Sequence, residues 1–202
     1  MRTIILASAS PRRKELLELT GLQFQVDPGD YIEDMSLKLS PHELAMFLSL
    51  EKARAVAGKY HNAIIIAADT FVIIRGQILG KPHTKEEAKE MLLFLEGKTH
   101  SVITGFTVLD TDTCRKISRS VETRVTFKKL TKKEIDAYVR TEEPLEKAGG
   151  YAIQGLGSII IKRIEGDYFN VIGLPLCALA ECLKEFEIRI LGNKGKSIVE
   201  LI

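Results

Sequence analysis

The chain has 202 residues, 45% of them hydrophobic, with a formal charge of +2. That length buries a full core in one domain, and a charge so near balance disfavours nucleic acid as a partner. The cysteines Cys114, Cys177 and Cys182 stand at no metal-type spacing, their odd number argues against a disulfide framework, and no apolar run approaches a membrane span, so a cytoplasmic protein with no membrane partner is the default.

A short apolar strand opening at Ile4 runs into the hydroxyl turn Ser8-Ala9-Ser10. Ser10 is placed as an N-cap and Pro11 as the first helical residue, so Arg12 and Arg13 fall in the first turn of a helix ending near residues 20–21. A helix N-terminus already carries partial positive charge and unpaired N–H groups, and two arginines add to that potential instead of offsetting it. Alone, the dipeptide reads as a solvated basic turn. After a strand and Ser-x-Ser-Pro, it points to a phosphate-bearing ligand.

Residues 24–26 read as a short strand and 28–40 as a loop; Ser40-Pro41-His42-Glu43 is a capping box opening a helix to about Gly58. Residues 63–68 form a continuous apolar run, the signature of a strand buried on both faces. Segments 71–74 and 77–79 flank a hairpin turn at Arg75-Gly76. Thr84, with Glu87 completing the box, caps a helix that carries Ala88, Met91, Leu92 and Leu95 on one face and ends at Gly97. Two long strands follow over 101–109 and 117–127, the second alternating with Val121, Thr123, Val125 and Phe127 on one side. Thr131 and Glu134 cap a helix bearing Ile135, Tyr138 and Val139, and a glycine-rich loop (149–157) leads into a strand over 158–164. An apolar helix from about Pro175 to Lys184, a strand near 187–190 and a basic tail close the chain. We read one α/β domain over 1–190 with a C-terminal tail over 191–202.

In open α/β sheets, ligands bind outside the carboxyl ends of strands. Residues 8–13 follow the first strand, and Asp69-Thr70 follow the buried run. A carboxylate there must be paired, metal-bound or open to a cleft, and as a lone feature it is more often structural. Gly80-Lys81-Pro82 follows a short strand and would by itself be a turn with a surface lysine. In Lys147–Gly155, glycines let backbone approach a ligand, and Gln154 offers the donor and acceptor that a base edge requires; the plain alternative is a loop shaped by strand geometry. His42, His61, His83 and His100 lack metal-ligand spacing, so an oxygen-ligated hard cation fits better.

In order and spacing, Leu6-Ala7-Ser8-Ala9-Ser10-Pro11-Arg12-Arg13, Glu51-Lys52-Ala53, Ala68-Asp69-Thr70, Leu79-Gly80-Lys81-Pro82, His100-Ser101-Val102-Ile103-Thr104-Gly105, Lys147-Ala148-Gly149 with Ile153-Gln154-Gly155, and Asn170-Val171-Ile172-Gly173-Leu174-Pro175 carry a family pattern. Along nearly its whole length the chain resembles the Maf proteins, nucleoside triphosphate pyrophosphatases. The resemblance implies an α/β fold with a long curved mixed β-sheet flanked by helices in two lobes around a central cleft, similar to inosine/xanthosine triphosphate pyrophosphatases. Members often form dimers, which leaves a homodimer open.

The resemblance also implies hydrolysis of a nucleoside triphosphate to the monophosphate and pyrophosphate. Such chemistry needs cations around the departing group, a divalent metal (Mg²⁺ or Mn²⁺) and a carboxylate to activate water. Asp69 corresponds to the family's proton acceptor; Ser8, Ser10, Arg13, Lys52 and Lys81 form the phosphate clamp; Glu33 matches an acidic position that holds the metal together with Asp69. No Ser, Cys or His stands beside a base as an activated nucleophile, so water attacks in one step. Arg12, Thr70 and Gln154 match the branch acting on dTTP and UTP, not the one acting on 7-methyl-GTP. Gln154 can meet the carbonyl–N–H–carbonyl edge of thymine or uracil, Arg12 can donate to a base carbonyl, and small Thr70 leaves room for the ring. The family is also linked to arrest of septum formation and growth, which keeps a non-catalytic nucleotide-binding regulator as the alternative. Intact Asp69, Lys81 and Arg13 favour the enzyme.

Overall fold

The computed structural model describes residues 2–32 and 37–191. Its strands are β1 (Thr3–Leu6), β2 (Gln25–Val26), β3 (Ala63–Ile74), β4 (Gln77–Leu79), β5 (Thr99–Asp110), β6 (Lys116–Phe127) and β7 (Ile161–Glu165). They make one mixed sheet in the order β2-β1-β3-β5-β6-β7, with β4 paired to β3 off that path. β1 runs parallel to β2 and β3, and the remaining pairs are antiparallel. The helices are α1 (Pro11–Glu18), α2 (Pro41–Ala57), α3 (Lys85–Leu95), α4 (Lys132–Arg140), α5 (Tyr168–Ile172) and α6 (Leu176–Lys184). Among the described residues, no helix is long and apolar enough to cross a membrane.

The helix starts follow their capping chemistry. Ser40 with Glu43 and Thr131 with Glu134 form the reciprocal boxes. Thr84 accepts from the Glu87 N–H, but the Glu87 carboxylate turns to the His83 N–H, so that box closes one residue early. The short α5, not anticipated from the sequence, is capped by Asp167, whose carboxylate accepts from the N–H groups of Phe169 and Asn170.

Both faces of β3 are covered. Ile64, Ile66 and Ala68 pack with Leu16, Leu17, Leu179 and Leu183 on one side. Ala63, Ile65 and Ala67 pack with Ala53 and Val56 of α2 on the other. This alternation assigns Asp69 to the α2 face and Thr70 to the opposite one.

Three expectations need correction. The strand over 63–68 does not end before Asp69: β3 continues to Ile74, because β5 pairs with it from Ile64 to Ile73 and the ladder carries the carboxylate along. Residues 155–160 form a 3₁₀ turn, and only Ile161–Glu165 is strand. No strand forms near 187–190, because Glu187 takes a left-handed conformation (φ 64°) and the Ile188 N–H returns to the Leu183 carbonyl, closing the end of α6. Glu33 and the tail beyond Leu191 lie outside the described residues.

The sheet also has a gap. β1 pairs with β3 only as far as Leu6 opposite Ile66, and β4 joins the same edge only from Leu79 opposite Val72. Between them, residues 67–71 of β3 have a strand neighbour on one side alone, β5. The chain leaves β1 at Ala7 and leaves β4 at Gly80, so both exits border this gap.

Candidate active site

A cavity of about 440 Å³ opens there. Ser8, Ser10, Arg12 and Arg13 reach it from the turn after β1 and the start of α1, Lys52 from α2, Thr70 from β3, Lys81 from beyond β4, and Gln154 from the loop before the 155–160 turn. All eight were singled out from the sequence. Asp69 lies against the same cavity through Lys52, with which it forms an ion pair; their side chains are only 8% and 13% exposed. A nearly buried carboxylate is costly unless compensated, and Lys52 compensates it.

The close seat of α2 makes that pair possible. Gly105 stands opposite Asp69 in the β3–β5 ladder. A Cβ at Gly105 would come within 2.2 Å of the Ala45 carbonyl, so only glycine lets the helix backbone settle here, and Lys52 further along α2 then meets Asp69.

Arg13 is aimed by bonds in three directions. Its Nε donates to the Gly173 carbonyl at 2.9 Å, Nη1 to Ser8 Oγ at 3.2 Å, and Nη2 to Thr70 Oγ1 at 3.1 Å. Ser8 Oγ also accepts from the Ser10 N–H, and Ser10 Oγ caps α1 by accepting from the Arg13 N–H. Behind Thr70 the chain of polar contacts continues. Its hydroxyl meets Thr104 Oγ1 at 2.9 Å, Thr104 donates to the Asn170 carbonyl, and the buried Asn170 amide donates to the Val102 carbonyl and Thr123 Oγ1. Thr70 is therefore a member of an ordered network as well as a small wall residue. The Gly173 carbonyl and Thr104 hydroxyl were not assigned roles from the sequence; the 170–175 and 100–105 motifs were the signals, and they carried no chemistry until folded.

At the other end of the cavity the potential is again positive. Arg12 is half-buried, and its pKa is drawn below its ordinary value by burial, with Glu15 pulling it back. Lys147 is lowered by burial and then by repulsion from Arg12. Two half-buried cations this close favour an anionic or carbonyl-rich ligand. Gln154 is exposed on the rim. Tyr151, which also lines the cavity, is held from behind: its hydroxyl meets His100 Nε2 at 2.7 Å, and His100, Phe127 and Tyr151 pack edge to face. Burial lowers the His100 pKa from 6.5 to about 4 and pushes that of Tyr151 up. Lys81 and this wall are joined, because the Glu146 N–H donates to the Pro82 carbonyl and the Gly149 N–H to the Gly80 carbonyl.

Among the described residues, no group of three or more His, Cys, Asp or Glu side chains stands ready to hold a metal. Asp69 adjoins the cavity through its ion pair with Lys52, Glu146 is the carboxylate residue among the lining, and the expected metal companion of Asp69, Glu33, lies outside the described residues.

The family model described as Maf-like protein matches residues 3–186. The dTTP/UTP pyrophosphatase of Bacillus anthracis is 50% identical over 190 residues, covering 94% of this chain and 98% of that protein. The dTTP/UTP pyrophosphatase of Methanosarcina mazei is 50% identical over 191 residues, covering 94% and 97%. Among solved structures, the Staphylococcus aureus Ham1 protein aligns with a TM-score of 0.53 at 13% identity, covering 93% of this chain and all of that one, a likeness of fold. With its motifs gathered around one cleft and its family model matched almost end to end, this chain belongs to the Maf family.

Proposed function

We infer that this chain is a nucleoside triphosphate pyrophosphatase that hydrolyses dTTP and UTP to the monophosphate and pyrophosphate. The observation that carries this is the convergence of Arg13, Lys52 and Lys81 on one cavity beside Asp69, in a chain half identical to dTTP/UTP pyrophosphatases.

In this reading the triphosphate lies along the gap beside β3, between β1 and β4. Arg13 meets it already oriented, which spares the entropy of fixing a long side chain. Ser8, Ser10 and the first N–H groups of α1 cradle phosphate oxygens, and Lys52 and Lys81 offset the charge that builds on the departing pyrophosphate. Asp69 accepts the proton of the attacking water, and its pairing with Lys52 ties that base to the phosphate clamp. Mg²⁺ or Mn²⁺ suits the donor chemistry, since such ions are held by one or two carboxylates together with substrate phosphates; Asp69 and Glu33 would be those carboxylates. When bound, the ion would neutralise phosphate charge. Gln154 and Arg12 face the base, and Thr70 acts beside them.

The test is direct. The purified protein with Mg²⁺ or Mn²⁺ is given dTTP, UTP, CTP, GTP and 7-methyl-GTP, and the products are separated. Pyrophosphate and monophosphate, formed fastest from dTTP and UTP, are expected. Orthophosphate with diphosphate as first products, or a preference for either guanine nucleotide, overturns the reading. Binding without turnover of any of them would leave the regulator.

A further inference from the structure

Two residues outside the cavity hold the segment that carries Gln154. Tyr138, on α4, accepts a hydrogen bond from the Ala152 N–H at 3.1 Å and donates to Glu143 Oε1 at 2.9 Å. The Glu143 carboxylate, just beyond α4, then accepts from the Gly157 N–H at 2.8 Å through Oε1 and from the Leu156 N–H at 3.0 Å through Oε2. Gln154 thus sits between two anchored stretches, Ala152 before it and Leu156–Gly157 after it. Lys147 adds a further tie by donating to the Glu143 carbonyl.

The fit is tight enough to exclude side chains. A Cβ at Gly157 would lie 2.1 Å from the Ala152 carbonyl oxygen and 2.6 Å from Tyr138 Oη. Tyr138 also lies within electrostatic reach of Arg12. Burial pushes Glu143 toward a higher pKa, but the N–H groups of Gly157 and Leu156 and the Tyr138 hydroxyl outweigh it and hold the carboxyl below its ordinary value. The acceptor is therefore kept charged where charge makes its bonds strongest.

We propose that Tyr138 and Glu143 are positioning residues for pyrimidine recognition, acting through Gln154 without touching the nucleotide. The proposal rests on the reading above that Gln154 meets the base of dTTP and UTP. A loop residue reads a base edge only if its backbone is fixed, because a mobile amide presents donor and acceptor in either order. Neither residue belongs to the phosphate clamp, so their loss should weaken base discrimination and leave the chemical step.

Steady-state kinetics on dTTP, UTP and CTP decide it, using the full chain, Tyr138→Phe, Glu143→Gln and the double variant, with thermal unfolding alongside. Each single variant is expected to lower the ratio of kcat/KM for dTTP over CTP about tenfold, through a raised KM for dTTP and UTP with kcat nearly unchanged. The double variant should lose little more than either single one, since both act on one loop. Tyr138→Phe keeps the ring in the core, so it decides alone if Glu143→Gln fails to fold. An unchanged dTTP-to-CTP ratio overturns the proposal, and so does an equal fall for all three nucleotides. If the unaltered chain shows no preference for dTTP and UTP over CTP, the pyrimidine reading itself has failed, a result visible before any variant is made.

Discussion

At one end of the cleft the polar groups come from regular structure: Asp69 from inside β3, Lys52 from α2, Arg13 from the first turn of α1. At the other end Gln154 comes from a loop between the 3₁₀ turns Ala148–Gly150 and Gly155–Ile160, and its surroundings are stitched by side chain to backbone bonds. The first end fixes charges by the ladder and by helix packing; the second fixes a hydrogen-bonding edge by local clamps. Such a division suits an enzyme whose reaction is common to all nucleotides and whose choice of base is not. Rigid elements hold what must never vary, while a loop can be retuned without disturbing them.

The sharpest way to break this contrast is at Asp69. Asp69→Asn keeps the size of the side chain and its place in the strand, and kcat should fall by about two to four orders of magnitude for every nucleotide. Circular dichroism would confirm the fold, and near-normal turnover in a folded protein would reduce Asp69 to a structural partner of Lys52.

At the loop end, the buried His100 behind Tyr151 gives a pH signature. Its pKa is held down to about 4 in the folded chain, against about 6.5 when exposed. The unfolded chain therefore binds more protons across that interval, and stability falls as pH drops from 6.5 through 4, by up to about 3 kcal/mol. Thermal unfolding at stepped pH should show this slope, and His100→Gln should flatten it within that window.

The smallest effect is expected from Arg13→Lys, which keeps the charge but cannot reproduce a planar guanidinium bonded to Gly173, Ser8 and Thr70 at once. Values of kcat/KM should fall by about ten- to a hundredfold, and by the same factor for dTTP, UTP and CTP. A fall confined to one base would blur the distinction between the two ends.

Much of the fold could be read from local chemistry. Ser40 with Glu43 and Thr131 with Glu134 mark helix starts because their capping bonds are made within a few residues. The alternation through Thr123, Val125 and Phe127 gives the buried face of β6. What escaped depends on partners far along the chain. Asp69 seemed to end a strand because a carboxylate interrupts an apolar run, and only β5 shows that the ladder continues past it. Ile159 and Ile160 favour a strand by propensity, but Glu143 captures the N–H groups of Leu156 and Gly157 and turns the backbone first. Eight polar residues that line the cavity were legible in the sequence, since each carries a donor, charge or hydroxyl within one of its motifs. The carbonyl of Gly173 was not, because every residue has one and position alone makes it useful.

The gap beside β3 has a consequence for motion as well as for shape. Asp69 belongs to a strand whose local opening would cost nearly as much as unfolding the domain, so it is a stationary anvil during turnover. Lys81 and the Tyr151 wall stand on the facing jaw, and the bonds from Glu146 to Pro82 and from Gly149 to Gly80 make that jaw a single piece. Any displacement of that piece would carry the Lys81 cation and the surface beside Gln154 together.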